Sequence, residues 1–205
     1  MYNSLYETIS KVEKSNDISL ERLEILQPLI DFVQQKVNNK MDVNINFICT
    51  HNSRRSHLAQ IWAQIAAEFF KIPNVICYSG GTEVTAIYPA IIETLKSQGL
   101  EISKIAEGNN PVYAIKFNEN SLPIIGFSKT FDNKFNPTSN FVAVLNCNEA
   151  DAGCPFIGGA EKRIPIPYQD PKISDNTQFQ AETYKKTSLG IAIEMWNIFS
   201  RIKIS

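Results

Sequence analysis

Apolar positions recur at two spacings along this chain, and the switches between them predict its elements. Over residues 1–40 the spacing is helical. Leu20, Leu23, Leu26, Leu29, Ile30, Val33 and Val37 fall on one face, and Ser19 stands where a helix cap is needed. Pro28 lies inside that repeat, which predicts a kink or break there. The polar stretch Asn38-Asn39-Lys40 ends the segment. Residues 1–40 therefore read as an N-terminal helical extension packed on the main body, with a dimer contact as the alternative use of its apolar face.

From residue 41 to 205 the pattern alternates. A short apolar strand, Asn44-Ile45-Asn46-Phe47-Ile48-Cys49, is followed by helical spacing over 56–70 through Leu58, Ile61, Trp62, Ile65 and Phe69. A second strand, Val75-Ile76-Cys77-Tyr78-Ser79, closes on Gly80-Gly81-Thr82. A second helix is expected over 89–98, with Gly99 as its C-terminal cap. The uninterrupted apolar run 141–147 predicts a buried central strand. Ile164-Pro165-Ile166-Pro167 predicts a short, interrupted one, and 177–202 a last helix. Strands alternating with helices predict an α/β fold: an open parallel sheet with helices on both faces.

Residues 108–140 break this rhythm. The runs 111–117 and 123–128 flank a polar turn at Asn118-Glu119-Asn120, which predicts an inserted β-hairpin that adds antiparallel strands or covers an edge.

Composition narrows the function classes. With 43% hydrophobic and 20% charged residues in 205, the chain is of ordinary globular type, sized for one domain with an added element. A net charge of -1 argues against general affinity for nucleic acid or an anionic membrane, so any anion site must be built locally. No apolar run approaches the roughly 20 residues of a membrane-spanning helix. Met1-Tyr2-Asn3-Ser4-Leu5-Tyr6-Glu7 lacks the basic start and apolar stretch of a signal peptide, so the expected compartment is the cytoplasm. There, four cysteines read as reactive thiols or small buried hydrophobes before structural disulfides. The two histidines, His51 and His57, do not provide the usual zinc spacings, and no metal site is expected.

The chemistry concentrates where the first strand stops. Cys49 stands at the carboxyl end of a parallel strand, the usual ligand-binding edge. The helix that starts near Ser56 directs free N–H groups and its positive end at the same loop. Amides curled round a point form an anion nest, and their field favours a negative sulfur. Arg55, six residues after Cys49, is placed to curl back and hold two oxygens of a tetrahedral oxyanion. Ser56 is placed to donate to the sulfur, and Asn52 to hold the loop's shape.

The loop Cys49-Thr50-His51-Asn52-Ser53-Arg54-Arg55-Ser56 resembles the phosphate-binding loop of the low-molecular-weight protein tyrosine phosphatases, and of the thioredoxin-coupled arsenate reductases that share their fold. Ser79-Gly80-Gly81-Thr82-Glu83 resembles the Ser-Ala-Gly-Thr-Glu turn of that superfamily. The resemblance runs from about residue 43 to the C-terminus, interrupted by 108–140. It implies Cys49 as nucleophile, Arg55 and Ser56 as its partners, and Thr50 through Arg55 as the oxyanion cradle. His51 departs from it, standing where these loops commonly carry Gly. Either it tunes the charge of the site or it faces solvent.

Cys147 ends the central strand as Cys49 ends the first, and Cys154 follows a loop containing Asp151 and Gly153. On the residues alone they are a redox pair or two unrelated thiols. The Cys147-x6-Cys154-Pro155 segment resembles the redox loop of the thioredoxin-coupled reductases, a pair the plain phosphatases lack as a family feature. The resemblance implies attack of Cys49 on arsenate, attack of Cys147 on the Cys49 adduct, and a Cys147–Cys154 disulfide reduced by thioredoxin, with no bound cofactor. Cys77, inside its strand, reads as core packing.

Asp170-Pro171 resembles the loop that supplies the general acid in both families, but Lys172-Ile173 follows where the phosphatases usually carry aromatic residues. The expected function is thus arsenate reduction in arsenic detoxification. The alternatives are hydrolysis of phosphotyrosine or small phosphoesters, and non-enzymatic binding of an oxyanion or a protein partner.

Overall fold

A computed structural model describes residues 1–15, 18–153 and 156–204, so Cys154 lies outside the described residues. Four strands form one parallel sheet in the order β2-β1-β6-β7: β1 (Val43–Cys49), β2 (Val75–Gly81), β6 (Phe141–Leu145) and β7 (Ala160–Pro165). The order reverses at β1, which is why a crevice opens at its carboxyl end. Register fixes that crevice: Cys49 lies beside Gly81, and Ile48 beside Leu145. β7 is an edge strand, so Pro165 removes no bond from a central ladder.

Strand alternation sends Val43, Ile45 and Phe47 into the main core. There they meet α2 (Leu20–Asn38) and α3 (Arg55–Phe69), on which α6 (Gln180–Ser200) packs. Ile48, Cys49, Phe141, Ala143 and Leu145 form a smaller cluster on the other side, with Cys147, Ala150 and Ile157. Its helical cover is the short α5 (Asn148–Gly153), and Phe131 packs beside it. Helices flank the sheet as expected, but unequally.

Buried polar links fix the helices. Trp62 Nε1 donates to Ser188 Oγ at 2.9 Å, and Ser188 donates onward to Gln98 Oε1 at 2.7 Å, joining α3, α6 and the end of α4 (Pro89–Ser97). Gly99 takes φ +99°, as a helix-ending glycine does, and a Cβ there would lie 2.4 Å from Leu5 N. That close approach seats α1 (Asn3–Lys14) against the turn that ends α4. Leu5, Ile9 and Val12 from α1, and Leu26, Leu29 and Val33 from α2, all belong to the main core.

At Pro28 the chain does not break: helix α2 continues through the proline. Its missing N–H removes one intrahelical bond, but the flanking apolar face is held by tertiary burial of Leu26, Leu29 and Ile30. The expected hairpin is present within the inserted segment, and one further strand joins it. β4 (Val112–Lys116) pairs antiparallel with β5 (Ile124–Gly126), and β3 (Glu101–Ala106), unassigned from the sequence, joins on β4's other side. Beyond β5 the chain runs along the free edge of β2, where Gly81 N donates to Lys129 O and Phe131 N donates to Gly81 O, each at 2.9 Å.

Candidate active site

The loop after β1 is shaped by its carbonyls. Cys49 O accepts from Thr82 N at 3.2 Å, Thr50 O from Glu83 N at 2.9 Å, His51 O from Ser128 Oγ at 3.0 Å and Ser53 O from Tyr88 N at 3.1 Å. With the carbonyls tied outward, the amides are left to the concave side. Among the described residues, none accepts a hydrogen bond from the backbone N–H of His51, Asn52, Ser53 or Arg54. Unspent donors curled round a point are what an oxyanion requires.

Asn52 makes the bend with φ +43°, in the left-handed region that Asn tolerates. Its side chain is used at both ends. Nδ2 donates to Ser56 Oγ at 2.9 Å, and Oδ1 accepts from Lys129 N at 2.9 Å. Ser56 Oγ lies 3.0 Å from Cys49 Sγ. With the oxygen accepting from Asn52, the hydroxyl proton is free to be donated to a sulfur anion at Cys49. His57 supports the bend from behind. Burial, with the Lys129 charge nearby, pushes its imidazole down to about 3, so the ring is neutral. Its Nε2–H donates to Asn52 O at 3.0 Å, which leaves Nδ1 to accept from Ser79 Oγ at 3.3 Å.

Arg55 is buried at the rim. Nη1 donates to Tyr168 O at 3.1 Å and Nη2 to Asp170 Oδ2 at 2.7 Å. Asp170 Oδ1 accepts from Lys172 N at 3.0 Å, which caps the 3₁₀ turn Pro171–Ser174 and orients the carboxylate. The structure thus brings Cys49, Ser56, Arg55 and Asp170 together.

The Arg54 side chain is engaged elsewhere than that of Arg55. Its guanidinium is turned away from the cradle, with Nε donating to Tyr184 at 2.6 Å and Nη2 to Asp175 at 2.5 Å, and it lies 4.1 Å above the Tyr88 ring. Its backbone N–H is what it offers the loop. His51 is half exposed, 3.4 Å from Glu83, so its side chain faces the solvent side of the rim. Ser53 is buried.

Thr50 reaches the second thiol. Its Oγ1 lies 3.5 Å from the sulfur of buried Cys147, which also accepts from Ala150 N at 3.4 Å in the first turn of α5. Strand register places Cys49 and Cys147 at one sheet edge and in one cluster. The partner expected for Cys147, Cys154, lies outside the described residues. Cys77 is buried apart from them, and burial pushes its thiol well up, as a core cysteine requires. Among the described residues, no cluster of three or more His, Cys, Asp or Glu is placed to hold a metal ion, and no helix is long and apolar enough to cross a membrane.

Sequence reasoning missed Lys129, Tyr184, Asp175 and the structural role of His57. Only His57 carried a local signal, two residues past Arg55 on the helix it opens.

A four-stranded parallel sheet with this loop at the carboxyl end of its first strand defines the low-molecular-weight protein tyrosine phosphatase fold. A phosphatase of that class from T. tengcongensis matches with TM-score 0.53 at 15% identity, over 78% of this chain and 100% of the other. A solved arsenate reductase in its phosphate-binding state matches with TM-score 0.51 at 16% identity, over 78% and 99%. In sequence, arsenate reductase of Staphylococcus aureus (strain Newman) is 31% identical over 151 residues, 73% of this chain and 92% of that protein. The chain belongs to the arsenate reductase family within this superfamily. No family model matches it.

Proposed function

We propose that this protein is a thioredoxin-coupled arsenate reductase acting in the cytoplasm. The observation that carries the reading is the neighbourhood of Cys49. Ser56 Oγ is 3.0 Å from its sulfur, and the adjacent Thr50 hydroxyl reaches Cys147 at 3.5 Å. A hydrolase needs only the first thiol.

In this reading Cys49 attacks arsenate held by the loop amides and Arg55, and water departs with the help of a proton from Asp170. Cys147 then attacks Cys49 Sγ. The S–As bond breaks, its electron pair stays on arsenic, and As(V) leaves as arsenite while a Cys49–Cys147 disulfide forms. Cys154 attacks Cys147, frees Cys49 and leaves a Cys147–Cys154 disulfide that the thioredoxin dithiol reduces. Electrons balance: two thiols lose two electrons, and arsenic gains them.

Hydrolysis of phosphotyrosine or small phosphoesters is the second reading, favoured by the Cys49, Arg55 and Asp170 arrangement alone. The test is steady-state turnover of arsenate with thioredoxin, thioredoxin reductase and NADPH, beside aryl phosphate hydrolysis. Reductase turnover that Cys147→Ser abolishes supports the first reading. Aryl phosphate turnover indifferent to Cys147→Ser, with no arsenite formed, would establish the second.

A further inference from the structure

Two consecutive arginines hold the two ends of one acid-bearing segment. Arg55, inside the site, bonds Asp170 at 2.7 Å. Arg54, outside it, bonds Asp175 at 2.5 Å. Between these carboxylates lies the turn Pro171–Ser174, pinned by Ser174 Oγ donating to Pro171 O at 2.8 Å. The outer anchor is a closed triangle: Arg54 Nε donates to Tyr184, Tyr184 donates to Asp175 Oδ1, and Arg54 Nη2 donates to Asp175 Oδ2. Burial pushes the Tyr184 hydroxyl up, which keeps its proton available for Asp175. The side chains of Arg54 and Asp175 are 12% and 14% exposed, so water screens the pair little.

The triangle also grips the oxyanion loop. Arg54 stacks on Tyr88, whose N–H holds Ser53 O at 3.1 Å. Oxyanion loop and acid segment therefore share one support, and the Arg54 guanidinium also feels the Asp170 charge.

We propose that Arg54 is a positioning residue: by clamping Asp175 and Tyr184 it fixes the outer end of the 170–175 segment and so sets where the Asp170 carboxyl stands beside the bound oxyanion. This rests on the reading of Cys49 as nucleophile and Asp170 as proton donor. A guanidinium fork is required, because a lysine ammonium is a single point and cannot hold a phenol and a carboxylate in fixed geometry.

The test uses the full chain as wild type, Arg54→Met, Arg54→Lys, Asp175→Asn, Asp170→Asn and Arg54→Met/Asp170→Asn. Each is assayed on aryl phosphates with leaving groups of graded basicity and on arsenate with the thioredoxin system. A displaced acid harms the departure of a basic leaving group and spares a good one. Arg54→Met and Asp175→Asn are expected to lower kcat about tenfold or more on the most basic leaving groups and on arsenate. The expected loss on the best leaving group is within about threefold, with KM changed little. Arg54→Lys is not expected to rescue, and in the Asp170→Asn background Arg54→Met should cost little more. Equal losses across all leaving groups, or a cost that adds in full to Asp170→Asn, would overturn the proposal while leaving the site reading intact. Asp175→Asn, which keeps the side chain's shape, decides the matter if Arg54→Met fails to fold. A wild type inactive on both substrate types, or an Asp170→Asn variant unimpaired on basic leaving groups, is instead a failure of the site reading, and the proposal falls with it.

Discussion

At the scale of single residues, the direction of hydrogen bonds decides what the site can do. Asn52 donates to Ser56, whose own proton is then free for a sulfur anion at Cys49, 3.0 Å away. Hydrogen bonds to charged groups contribute about 1.5–3 kcal/mol, so Ser56→Ala should slow alkylation of Cys49 by iodoacetamide at pH 7 roughly ten- to a hundredfold. An unchanged rate would mean that the hydroxyl does not support the sulfur anion. His57 gives a prediction of opposite kind. Its folded-state value is about 3, below the ordinary 6.5. The unfolded chain therefore binds the extra proton first, and stability falls as pH drops from about 6.5 toward 3. The loss is on the order of 3 kcal/mol by pH 4. Urea midpoints measured from pH 7 to 4 should fall more steeply for wild type than for His57→Gln. Cys49, Arg55 and Ser56 were legible in the sequence because six or seven residues of one loop carry their relation. Arg54 was not. What turned its guanidinium outward was Tyr184 and Asp175, more than a hundred residues away, which no local pattern shows.

At the scale of elements, the carboxyl ends of β1 and β2 must touch. A Cβ on Gly81 would lie 2.6 Å from Thr50 O and 2.7 Å from Asn52 N, inside the oxyanion loop itself. Gly81→Ala should therefore push the loop open rather than unfold the sheet. The expected result is a loss of roughly tenfold or more in phosphate or arsenate affinity by calorimetry, with about 1–3 kcal/mol of stability lost. An affinity unchanged within twofold would show that the loop tolerates the shift. The parallel strands and their helices were readable because apolar runs and helical periodicity mark buried elements directly. β3 was not, since its residues are almost all exposed and carry no strong alternation. The break that Pro28 allowed did not occur for the converse reason: a local rule against proline was outweighed by burial on both sides of it.

At the scale of the molecule, the N-terminal helices are part of the body that holds the site. Arg22 donates bidentately to Glu194 at 2.7 and 2.9 Å, which ties α2 to α6. Lys36 reaches Glu161 on β7 at 2.6 Å. The helical character of residues 1–40 could be read from spacing, but not these partners, which lie far along the chain. The same holds for the course of 127–131 along the edge of β2, which brings Lys129 behind Asn52. Lys129 and Asn52 meet at the carboxyl edge of the sheet, where Cys49 and Cys147 share a cluster, while Lys36 and Glu161 tie its opposite end.

The most direct measurement is a single turnover by the Cys154→Ser variant with arsenate and no reductant, quenched and mapped by mass spectrometry. The account predicts close to one arsenite per chain and a disulfide joining Cys49 to Cys147. Absence of arsenite, or Cys49 and Cys147 both recovered as free thiols, would contradict it.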